Sequence, residues 1–198
     1  MSGEPLPKEL LDRALKLFPS TAIALTGCRA QTWSHPVCEY DFIILSKKRG
    51  EKRLQVSDKY FDVHFVSTWE LDDLLINDKA LSLCHSYTIA DPDWVLTSTL
   101  SKLRSLEAKI IRSVATNRLM TALLELAHLY SALDGGSTLD AAYWLHSAAY
   151  SCSDATIVLA GYTPSPSHTF SQMQNLSMKN SCVFKIWSDA LNVDLASS

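Results

Sequence analysis

The stretch that decides the fold reads GCRAQTWSHPVCEYDF, from Gly27 to Phe42. One apolar run, 21–26 (TAIALT), leads into it, and another, 40–45 (YDFIIL), carries on from its end. Both read as short strands rich in β-branched and aromatic residues. Gly27 stands at the end of the first strand, where a backbone without Cβ lets a ligand come close. Segment 28–34 can open a helix whose free N–H groups face a phosphate. Glu39 and Asp41 stand two apart at the start of the second strand, so both carboxylates project from one face. Two acids on one face are costly unless a cation neutralises them. Mg²⁺ suits that demand, because it takes hard oxygen ligands, only a few of them from protein.

Further along, 53–56 and 59–66 (KYFDVHFV) alternate apolar and polar residues, as strands with one buried face do. In 59–66, Asp62 and His64 share a face. If this strand lies beside 40–45, Asp62 or His64 joins Glu39 and Asp41. Three such groups around Mg²⁺ suit phosphoryl transfer: the metal neutralises the triphosphate while a carboxylate activates the attacking hydroxyl. His64 reads as a structural histidine rather than a ligand. Residues 46–52 (SKKRGEK) read as a hairpin turn. The basic run Lys47, Lys48, Arg49, Lys52 and Arg53 forms its solvated tip, within possible reach of a phosphate. Residues 68–75 predict a short helix with Leu71, Leu74 and Leu75 on one face, and 86–90 one more strand.

On these residues the chain resembles the minimal nucleotidyltransferases of the polymerase-beta-like superfamily. Their signature is Gly-Ser, ten residues, then Asp-x-Asp. Gly27-Cys28, residues 29–38 and Glu39-Tyr40-Asp41 fall in that register, with Arg29, Ala30 and Pro36 also matching common positions. The resemblance implies Mg²⁺ held by Glu39, Asp41 and Asp62, with Asp62 the third acid or the catalytic base. It implies NTP phosphates lined by Gly27, Cys28 and Arg29. The expected reaction moves an NMP, from ATP in the first instance, to an acceptor hydroxyl on a small molecule or protein. Cys28 replaces the family serine, Glu39 the first aspartate and Thr32 a frequent glycine. Cys28 and Glu39 favour the alternative, a catalytically degenerate member that binds a nucleotide or, antitoxin-like, a protein.

After residue 100 the strand signals stop. Leu103, Leu106, Ile110, Ile111, Val114, Leu119, Leu123, Leu126 and Leu133 recur at helical spacing, as one long helix or as two with a break near Thr116-Asn117. Asp134-Gly135-Gly136 ends it. Ser137 or Thr138 caps a second helix running to about Ala160 and stopped by Gly161. Residues 163–168 form a loop, and 179–195 a last helix. Tyr130, Tyr143, Trp144, Tyr150 and Trp187 read mostly as interhelix packing.

The fold class is therefore α+β: a small mixed-sheet nucleotidyltransferase domain over 1–100, then an all-α helical bundle over 101–198 for acceptor binding or dimerisation. The resemblance implies the same architecture, as in kanamycin nucleotidyltransferase-type and HEPN-associated proteins. The HEPN nuclease pattern is absent, since Arg118 and His128 stand too far apart.

Composition narrows the function classes. Of 198 residues, 47% are hydrophobic and 20% charged, which is enough apolar surface to bury a core and excludes disorder as the main state. A net charge of −3 leaves no global positive field, so nucleic acid is an unlikely partner. Five cysteines in a chain this long do not make a disulfide framework. His35, Cys38, Cys84 and His85 match no common structural zinc spacing. No run is apolar and long enough to span a bilayer, and the N-terminus does not read as a signal peptide. The sequence points to a soluble, cytoplasmic protein whose helical half could mediate a homodimer.

Overall fold

A computed structural model describes residues 6–19, 21–31, 38–47, 50–56, 59–67, 78–177 and 181–191. The helix expected over 68–75 lies outside the described residues. The chain divides into two compact units, Met1–Ile110 and Ile111–Ser198.

The first unit opens with α1 (Lys8–Leu17), to which the sequence reading assigned no element. Pro7 stands at its N-cap, and Glu9 and Lys16 complement the helix dipole at its two ends. Leu10 and Ala14, one turn apart, bury its inner face. Five strands follow: β1 (Ile23–Thr26), β2 (Tyr40–Leu45), β3 (Gly50–Val56), β4 (Lys59–Val66) and β5 (Tyr87–Ala90). They form one mixed sheet in the order β3-β4-β2-β1-β5. Only β2 and β4 run parallel; the other pairs are antiparallel. Alternate residues Tyr40, Phe42 and Ile44 pack with Ile23, Leu25, Phe61, Val63, Leu10 and Ala14 into the core.

The hairpin expected at 46–52 is corrected. β2 and β3 are not neighbours, because β4 lies between them. β3 instead pairs antiparallel with β4, from Gly50 opposite Phe65 to Val56 opposite Lys59. Burial explains the exchange. β2 buries Tyr40, Phe42, Ile43 and Ile44 and needs a neighbour on each side, whereas Glu51, Lys52, Arg53 and Gln55 of β3 are exposed and suit an edge. Lys52 and Arg53 therefore belong to an edge strand rather than to a loop tip.

Helices α2 (Asp78–Cys84) and α3 (Val95–Ser105) complete the first unit. Arg104 on α3 donates to the carbonyls of Cys84 and Ser86. Burial is the main cause that pushes the Cys84 thiol up to about 11, so it stays protonated. His85 meets Glu107 at 3.2 Å.

The second unit holds most of α4 (Glu107–Asp134), then α5 (Thr138–Leu159), α6 (Thr169–Ser177) and α7 (Ser181–Ala190). α4 runs unbroken through Thr116-Asn117; the break falls at Leu106, between α3 and α4. Gly136 and Gly161, both at positive φ, follow the two long helices where the sequence placed stops. α4 and α5 are joined by Ser147 donating to Glu125, by an Arg118–Asp154 pair at 3.7 Å and by His128 stacked on Trp144. Ile157, Met173 and Trp187 form a second core, with Phe170 and Phe184 around the indole. The aromatic expectation is corrected in part: Trp187 is buried, but Tyr130, Tyr143 and Tyr150 are exposed. Among the described residues no helix is long and apolar enough to cross a membrane.

Candidate active site

Strand register assembles the site. Thr26 on β1 pairs with Asp41 on β2, Asp41 with Asp62 on β4, and Asp62 with Arg53 on β3. These four positions form one row across the sheet, with side chains on one face. Two residues further along, a second row carries Ile43, His64 and Glu51. The register explains why Asp41 and Asp62 converge although they stand far apart in the sequence: β4 lies parallel to β2, and Asp62 is directly opposite Asp41. Glu39, just ahead of β2, adds the third. Carboxylate oxygens of Glu39, Asp41 and Asp62 all lie within 4.8 Å of one another.

Gly27 closes the row at its upper edge. Its φ is +70°, and a Cβ built there would lie 2.0 Å from Oδ2 of Asp41. Only glycine leaves room for that carboxylate. A one-turn 3₁₀ helix, Cys28–Ala30, follows. Arg29 is 3% exposed, and its Nε and Nη2 donate to the Cys38 carbonyl at 3.2 and 2.9 Å. Its guanidinium also lies 4.6 Å from the centre of the Tyr40 ring. Arg29 thus ties the start of the loop to the start of β2, which sets Gly27 against Asp41. The Cys28 thiol is pushed up to about 12, first by burial and then by its hydrogen bond with Cys38, so it is a neutral, weak donor and not a thiolate.

The electrostatics separate the acids. Burial, then the neighbouring Glu39 charge, raises Asp41 from its ordinary 3.8 to about 6. Asp62 is held below the usual carboxylate range, chiefly by hydrogen bonds from Arg53. Arg53 donates from Nε to Oδ1 at 2.6 Å and from Nη2 to Oδ2 at 2.5 Å, a two-pronged pair. His64 does not join the carboxylates; its Nδ1 faces Glu51 at 3.1 Å. Lys48, Arg49, Thr32, His35 and Pro36 lie outside the described residues.

The donor set fits a hard divalent cation. One oxygen from each of the three carboxylates lies within 4.8 Å of the others, and hard oxygen donors so gathered suit Mg²⁺. Arg53 is the site residue whose part the sequence reading missed. The signal was present: the antiparallel register of β3 and β4 sets Arg53 opposite Asp62, and Arg faces Asp there.

No family model matches the sequence, and no curated protein matches it. Solved structures do. The chain is similar to a nucleotidyltransferase-like protein from Exiguobacterium sibiricum 255-15, with 12% sequence identity and a TM-score of 0.52. The match covers 94% of this chain but 66% of that one, so the chain spans just under two thirds of the neighbour's length. At this identity the likeness shows the fold, a nucleotidyltransferase-like α+β sheet with a helical part.

Proposed function

We propose that the protein is a nucleotidyltransferase that moves an NMP from an NTP to an acceptor hydroxyl of a small molecule or protein. The observation that carries the reading is the convergence of Glu39, Asp41 and Asp62 beside Gly27, where a side chain would collide with Asp41. Glu39 and Asp41 hold Mg²⁺, which when bound supplies neutralising charge at the phosphates. Gly27 and Cys28 border the phosphates, and Arg29 positions that loop from below. Asp62 is the third ligand. The catalytic-base role is less favoured for it, because a carboxyl held low by Arg53 is a weak proton acceptor. The acceptor oxygen bonds to the α-phosphorus, the bond to the β-phosphate oxygen breaks, pyrophosphate leaves, and the hydroxyl proton passes to solvent or a carboxylate.

The test is the thermal shift of the purified protein with ATP, GTP, CTP and UTP, each with and without Mg²⁺, followed by pyrophosphate release. A ligand bound only by the native state at a hundredfold excess over Kd adds about 2.7 kcal/mol. A Mg²⁺-dependent shift with one nucleotide and pyrophosphate release that Asp41→Asn abolishes are the expected results. NMP transfer surviving in Asp41→Asn would sink the assignment.

One observation favours the degenerate reading. Arg53 already occupies both oxygens of Asp62, as a cation standing where a metal ligand is needed. A Mg²⁺-dependent shift without pyrophosphate release from any acceptor selects it.

A further inference from the structure

Helix α4 carries Leu119, Leu123, Leu126, Tyr130 and Leu133, spaced four, three, four and three apart. That is the seam spacing of a coiled coil. In the structure the seam is uncovered. Leu119, Leu123, Tyr130 and Leu133 are exposed. Leu126 forms one edge of an apolar groove of about 260 Å³, whose other walls include Leu145 of α5, Ile186 of α7 and the buried Trp187. Seam and groove are thus continuous through Leu126.

Size decides what such a surface means. Leu119, Leu123, Tyr130, Leu133, Leu145 and Ile186 are between 37% and 70% exposed. Together these six leave on the order of several hundred Å² of mostly apolar surface in water. A lone exposed leucine needs no explanation, but a continuous patch above a few hundred Å² does. A standard interface takes about 800 Å² from each partner, and this continuous face supplies a large part of that.

We propose that this face is the interface of a homodimer, with a second copy of the chain pairing its own α4 antiparallel across a two-fold axis near Leu126. Two features single out a second copy. The seam reads nearly the same in both directions about Leu126, so an antiparallel pair sets Leu119 against the partner subunit's Leu133 and Leu126 against its own counterpart. Residues 119–133 also contain a single charged residue, Glu125, which turns inward to accept from Ser147. A two-fold axis brings each charge near its own copy, and this face sets no like charges together. A surface this apolar also requires a partner present at equal abundance, which another copy always is.

The test uses the full-length chain. Light scattering after size exclusion should give the mass of two chains at micromolar protein. Leu123→Glu with Tyr130→Glu should give the mass of one chain with the helical far-ultraviolet signal retained. Cross-linking guards against a variant that fails to fold. In a Cys152→Ser background, Leu126→Cys should form a covalent dimer with a short bismaleimide, whereas Leu139→Cys, exposed but off the seam, should not. A wild-type chain that stays monomeric to 100 micromolar, or a dimer that survives the double glutamate substitution, overturns the proposal. Equal cross-linking at Leu126→Cys and Leu139→Cys also overturns it.

Discussion

Asp41→Asn exchanges a carboxylate for an amide of nearly the same shape in the middle of the acidic row. In the native protein burial and Glu39 raise Asp41 from 3.8 to about 6. The native state therefore holds this proton more tightly than the unfolded chain does. Its contribution to stability is greatest below the unfolded value and is lost as pH rises through the native one, over a window from about 4 to about 6. At about 1.4 kcal/mol per pKa unit the loss is about 3 kcal/mol, and solvent screening at a partly exposed group reduces it to about 2 kcal/mol. Asparagine carries no such cost. Asp41→Asn is therefore expected to stabilise the metal-free protein by about 2 kcal/mol at pH 8 and by almost nothing at pH 4. For a chain of this length that gain raises the melting midpoint by about 4–8 °C. The assay is a melting series in EDTA from pH 4 to pH 8, repeated with Mg²⁺ and ATP. With ligand the order reverses: wild type gains stability and the variant, short of one charged oxygen donor, does not. A variant less stable than wild type at pH 8 in EDTA refutes the reasoning, as does a difference that is the same at pH 4 and pH 8.

Three further outcomes follow from the same geometry. Gly27→Ala places a methyl group 2.0 Å from Asp41 Oδ2 at a positive φ, and denaturant melts should show a loss of about 2–4 kcal/mol together with loss of any Mg²⁺–nucleotide shift. Arg29→Lys keeps the charge but not the two-pronged grip on the Cys38 carbonyl or the stacking on Tyr40; it should cost about 2–3 kcal/mol and rescue little relative to Arg29→Ala, in the same melts. Arg53→Ala removes the cation that competes for Asp62 and should strengthen Mg²⁺ binding in calorimetric titration; unchanged or weaker binding would show that Arg53 supports the site instead.

Where the sequence reading failed, the missing information was tertiary. The strands over 40–45 and 59–66 were legible from their alternation, but the pairing that brings Asp62 to Asp41 follows only from the parallel register of β2 and β4. The basic stretch at 46–52 looked like a hairpin because Gly50 and its polar neighbours carry turn chemistry. Turn chemistry marks where a strand ends, however, not which strand it meets next. The partner of β2 was decided by burial on both its edges, which gave β4 the inner place and β3 the rim. α1 is the exception: Leu10, Leu11, Ala14, Leu15 and Leu17 recur at helical spacing on one face, so this helix was legible in the sequence itself.

The sequence by itself determined the helix stops at Gly136 and Gly161 and the spacing that sets Gly27 ahead of Glu39 and Asp41. These are local properties: periodicity, backbone freedom and side-chain alternation along one strand. Only the tertiary structure decided that Arg53 grips Asp62, that Arg29 is buried against Cys38 and Tyr40, and that the α4 seam stays open to solvent. Each depends on which distant segment lies alongside, and strand order, helix packing and burial are settled by the whole chain competing for one core.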